Sequence, residues 1–115
     1  MIADGKLDVW HGAPTVIFLL ADTRGAGSPV LDVGIMGQNM VLAAHSMGLG
    51  TCWVSFAKLL EMSPKHKKVL QVKYPYKLIT SIALGFPRGT PDGFIPREKH
   101  ESLWIEAGGE TRNVK

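Results

Sequence analysis

Side chains able to do chemistry are few here and scattered along the chain. Cys52 is the only cysteine of the 115 residues and stands inside HSMGLGTCWVSF (45–56), between Thr51 and Trp53. A thiolate nucleophile needs an electropositive, partly exposed setting with a base beside it. An apolar strand offers neither, so a buried structural thiol is expected. His45 has a side-chain type suited to acid–base work near neutrality, but no carboxylate partner can be identified for it, and His11 is ambiguous in the same way. Arg97-Glu98-Lys99-His100, following Pro96, carries the most chemistry. Two cations two residues apart in a constrained loop can converge on one phosphate, Arg through its planar fork and Lys as a point charge. A solvated surface loop is the plain alternative. No cysteine pair and no Cys/His cluster has metal-ligand spacing, so no metal is expected.

These residues must be held by a small set of elements. Pro14 introduces Thr15-Val16-Ile17-Phe18-Leu19-Leu20-Ala21, whose β-branched and large apolar residues predict a strand buried on both faces. Residues 22–29 are dense in turn formers and predict a loop. A long helix follows, with Asp32 as its cap and Val33, Met36, Met40, Ala43, Ala44 and Met47 recurring at spacings of three and four. Gly37, Ala43 and Ala44 suit the close approach of another helix. Gly48 predicts a left-handed stop, with Leu49 folding back on the last turn. Thr51 to Ser55 reads as a second buried strand. A helical turn over 57–62 and a short basic helix opened by Ser63-Pro64 come next. Leu78 to Leu84 is the third strand, ending at Gly85. Residues 1–13 read as irregular, and a flexible tail is expected over 105–115. The order strand, long helix, strand, helix, strand predicts an α/β or α+β layer in one domain spanning 1–115.

Composition narrows the classes. The chain is 45% apolar and 20% charged, with no apolar run near the ~20 residues that span a bilayer. A soluble, cytoplasmic protein without membrane association is the expectation. Net charge is +3, but residues 1–55 hold two Lys/Arg against four Asp/Glu, and residues 56–115 hold eleven against six. The basic half is suited to an anion. Lys65-His66-Lys67-Lys68 reads as a solvated helix face, since no aromatic platform or RNA-binding signature accompanies it, and nucleic-acid binding is not expected. Gly48-Leu49-Gly50 is no dinucleotide fingerprint, because its glycines end a helix and precede a strand.

HGAPTVIFLLAD (11–22), DVGIMGQNMVLAAHSMGLGTCWVSF (32–56) and SIALGFPRGTPDGFIPREKHESLW (81–104) together resemble, in order, the C-terminal portion of the nitroreductase family of FMN-dependent oxidoreductases. The resemblance implies a nitroreductase-like sheet flanked by helices. It implies that Trp53, Val54 and Ser55 lie along the flavin, where a family backbone N–H points at the ring nitrogen N5, with Phe56 replacing a frequent glycine. Arg97 and Lys99 match the C-terminal basic residues that meet the FMN phosphate. The implied reaction takes hydride from NAD(P)H and delivers electrons to a nitroaromatic, quinone or similar acceptor, with no catalytic side chain required. The family's Arg-x-Ser-x-Arg phosphate motif has no counterpart before Met1-Ile2-Ala3-Asp4, so a domain truncated at the N-terminus is expected. A homodimer through the long central helix, residues 33–47, is implied as well. The alternative is a non-catalytic dimerisation module of the same fold without bound flavin.

Overall fold

The computed structural model describes residues 10–89 and 93–114. Strand β1 (Thr15–Asp22) leads into helix α1 (Pro29–Ser46) and strand β2 (Gly50–Val54). A 3-10 helix (Ser55–Met62), helix α2 (Pro64–Val69) and strand β3 (Tyr76–Gly85) follow, then β4 (Ser102–Ile105) and β5 (Thr111–Val114). The long helix starts earlier than expected. Ser28 is its cap residue and Pro29 occupies its first turn, where a fixed φ and a missing N–H cost nothing. Asp32 therefore sits inside the first turn, with its acidic charge at the positive end of the helix dipole. The far end is as read: Gly48 has φ +78, and the N–H groups of Gly48 and Leu49 donate to the carbonyls of His45 and Ala44. That bond pair is a Schellman ending.

The sheet order is β1-β3-β2, with β3 antiparallel to both neighbours. The β1–α1–β2 crossover thus leaves a slot that β3 fills. Among the described residues both outer strands are edges, and neither is buried along its whole length. In β2 only Val54 is buried. Cys52, expected inside, is exposed. It pairs with Ala83 on the face away from α1, and the 3-10 helix that covers that face begins only after Val54.

Two apolar cores lie on opposite faces of the sheet. Leu19, Ala21, Val33 and Ile82 pack under α1, joined by Ile17, Met40, Val41 and Ile79. Ala57, Leu60, Val72 and Leu78 pack under the 3-10 helix, joined by Trp10, Phe18, Leu20 and Leu70. Strand alternation alone would put Leu78 and Ile82 on one face. The register instead jumps at Leu19/Leu20, which pair with Thr80 and Leu78, so Ile79 is an extra residue in β3. This bulge lets one strand serve both cores.

On α1 the buried residues are Val33, Gly37 and Ala44, while Met36 and Met47 are exposed. Gly37 does admit a close neighbour, but it is the indole of Trp53 rather than a helix: a Cβ there would overlap the Trp53 ring and come within 3.0 Å of Leu19 Cδ1. At the other face, Glu61 joins three elements. Its Oε2 accepts from the Leu78 N–H (2.9 Å) and its Oε1 pairs with Lys67 Nζ (3.0 Å). Burial pushes its carboxyl up, but the Leu78 N–H and the Lys67 ammonium outweigh that and hold it below the usual range.

The expected flexible tail instead contains a hairpin. Ser102 pairs with Val114 and Ile105 with Thr111 around a turn closed by Gly109, whose φ is +83. Left-handed glycine is what a tight reversal needs. Of the 1–13 stretch, residues 1–9 lie outside the described part; Trp10 to Ala13 form a turn closed by the Ala13 N–H on the Trp10 carbonyl.

Gly37→Ala is expected to destabilise by about 1–3 kcal/mol through overpacking, more than the ~1 kcal/mol that alanine gains over glycine in a helix. In a Trp53→Phe background the cost shrinks; equal costs in both backgrounds by urea unfolding would show that the methyl does not meet the indole. Glu61→Gln should cost about 1 kcal/mol near neutral pH. Because the folded carboxyl is the more acidic one, the wild-type advantage is full above the unfolded value of about 4.3 and disappears as pH falls through the lower folded value. A difference independent of pH in thermal melts would contradict this account.

Candidate functional site

The strand-to-helix junction Trp53–Phe56 combines a fixed backbone with an open surface. Val54 is buried at 5% exposure, whereas Trp53, Ser55 and Phe56 are exposed. Each side of the junction is anchored differently. On the α1 face, the Trp53 indole packs over Gly37. On the opposite face, the fully buried Ser81 donates from its hydroxyl to the Val54 carbonyl at 2.8 Å; Thr80, its neighbour in β3, adds a longer contact to the same oxygen at 3.5 Å. Ser81 Oγ in turn accepts from Trp10 Nε1 at 3.1 Å. The Trp10 ring meets Phe18 edge-on, centroids 5.9 Å apart.

Ser55 opens the eight-residue 3-10 helix, with Val54 as its cap residue. The first N–H groups of a helix have no acceptor within it and face outward with the positive end of the dipole. The junction therefore offers an aromatic surface, a rigid backbone and N–H donors to an electron-rich, flat ligand. The sole thiol, Cys52, lies one residue before Trp53, with Sγ 3.6 Å from the Trp53 carbonyl oxygen.

Arg97 and Lys99 are exposed on the irregular segment before β4. Among the described residues no hydrogen bond or ion pair to either is found. His45 and His11 are exposed too, His11 with φ 55 in the turn before β1. The 65–68 basic run is α2 itself, one of its lysines held by Glu61. No group of three or more His, Cys, Asp or Glu among the described residues could hold a metal ion, and no described helix is long and apolar enough to cross a membrane.

Sequence reading missed Trp10 and Ser81. Their contact spans 71 positions, and nothing in either neighbourhood marks it. Gly37 was legible as a small residue on the apolar stripe, though not what it makes room for.

The Nitroreductase family model matches residues 2–86, from before the first strand to the end of β3. The chain belongs to the nitroreductase family. That match takes in the whole junction and stops short of Arg97 and Lys99. A Methanothermobacter thermautotrophicus protein assigned as an NADH dehydrogenase/NAD(P)H nitroreductase is 32% identical over 98 residues, covering 80% of this chain and 51% of that relative. The chain thus spans about half the length of the curated relative it matches. Among solved structures, a Desulfitobacterium hafniense nitroreductase with bound FMN superposes with a TM-score of 0.68 at 26% identity, over 84% of this chain and 53% of that one. A Bacteroides fragilis nitroreductase with bound FMN shares the fold, with a TM-score of 0.64 at 24% identity over 96% of this chain and 56% of the other. The mixed α/β architecture read from the sequence is thereby the nitroreductase fold.

Proposed function

We propose that this chain forms the ring-binding part of an FMN-dependent oxidoreductase of the cytoplasm, which takes hydride from NAD(P)H and reduces nitroaromatic, quinone or similar acceptors. The observation that carries this reading is the family match over residues 2–86, which spans the Trp53–Ser55 junction. The relatives' bound FMN and the NAD(P)H nitroreductase assignment of the 32% identical protein support it.

The junction fits a flavin on three counts. Trp53 offers partly exposed aromatic surface, the buried Val54 keeps the backbone from moving, and the N–H groups that open the 3-10 helix suit a ring-nitrogen acceptor. When bound, FMN supplies hydride acceptance and electron delivery. The chain's own residues orient that ring and exclude water from one side of it. Arg97 and Lys99 are the residues assigned to its phosphate.

The same reading makes the protein a homodimer through α1 over residues 33–47. Leu31, Ile35 and Leu42 lie on one exposed stripe of α1, at spacings of four and seven, and Val30, Met36 and Met47 add to the exposed apolar surface of that helix. A helix apolar on more than one side is ordinarily covered on more than one side. The second reading is a flavin-free dimerisation module of the same fold, which the exposed apolar surface of α1 serves equally well.

Titration with FMN is expected to give a protein-bound flavin absorbance band, and Arg97→Ala and Lys99→Ala should each weaken binding by about 1–3 kcal/mol. A protein that stays colourless in excess FMN supports the flavin-free module instead. Ile35→Glu together with Leu42→Glu should convert the dimer to monomer in sedimentation; an unchanged mass would place the interface off this helix.

A further inference from the structure

We propose that Trp10 and Ser81 are positioning residues, forming a hydrogen-bond chain that aims and strengthens the Ser55 N–H as a donor to the bound ring. This rests on the reading that the flavin lies along Trp53–Ser55.

A peptide group is planar and trans, so the carbonyl of Val54 and the N–H of Ser55 belong to one rigid plate and point in opposite directions. Fixing the oxygen fixes the donor. Ser81 does this from a site with no solvent exposure, its hydroxyl hydrogen committed to the Val54 oxygen at 2.8 Å. Water cannot compete for that hydroxyl. Trp10 Nε1 donates to Ser81 Oγ at 3.1 Å, occupying a lone pair and polarising the O–H toward Val54. Hydrogen bonds in series strengthen one another, and a carbonyl that accepts one makes the N–H of the same peptide a better donor. The Ser55 N–H stands first in its helix, without an intrahelical acceptor, and a trans peptide whose oxygen meets Ser81 turns that N–H the other way. The chain therefore runs from Trp10 through Ser81 and the Val54–Ser55 peptide to whatever acceptor lies outside.

Two variants separate this role from simple packing. Trp10→Phe removes the Nε1 donor and keeps a ring against Phe18, and Ser81→Ala removes the hydroxyl alone. In ligand-free, isotope-labelled protein, the Ser55 amide proton is expected to move upfield in both, with circular dichroism unchanged in Trp10→Phe. With FMN, affinity should fall about fivefold in Ser81→Ala and by less in Trp10→Phe. A Ser55 amide that does not move in folded Trp10→Phe overturns the chain, whatever the flavin does. Unchanged FMN affinity in both variants overturns its role toward the ring. If the wild type binds no FMN, the flavin reading fails, and the amide shift still decides whether the hydrogen-bond chain exists.

Discussion

One extra residue in β3 organises this molecule. A regular central strand sends alternate side chains to alternate faces, and over ten residues it would commit Leu78 and Ile82 to the same core. The bulge at Ile79 changes the parity, so Leu78 anchors the layer under the 3-10 helix while Ile79 and Ile82 anchor the layer under α1. Ser81 is carried by the same shift onto the side where Trp10 waits. Without that offset the Val54 carbonyl would still meet β3, but Ser81 and Leu78 would face opposite layers.

The anchoring of the junction follows from this arrangement. Trp53 is fixed through a glycine on α1, and Val54 through a hydroxyl in β3 that a residue from outside the sheet supports. Two unrelated kinds of interaction, steric on one face and polar on the other, thus restrain two consecutive residues. The exposed face is left to Trp53, Ser55 and Phe56. A backbone held this firmly loses little entropy when a rigid ligand docks on it.

Most elements were legible because their signals are local. Gly48 and Ser63-Pro64 mark helix ends through backbone geometry alone, and the apolar runs of β1 and β3 need no partner to be seen. What failed was everything set by neighbours. The depth of β2 depends on its being an edge, which exposes Cys52. The cap of α1 moved to Ser28 because proline outweighs a carboxylate as a starting signal. Residues 102–114 have too few β-branched residues to announce a hairpin, and its pairing came from the Gly108-Gly109 reversal. For the site, family likeness marks Trp53 to Ser55 as candidates but not the contacts that support them, since a contact between residues 10 and 81 leaves no periodic trace.

Apolar side chains stay in water along α1 and on the terminal hairpin, where Leu103, Trp104 and Ile105 are exposed on a two-stranded ribbon of a kind that is marginal alone. Whatever covers them on the folded chain adds to its stability by mass action. For the dimer proposed through α1, stability would then rise with protein concentration.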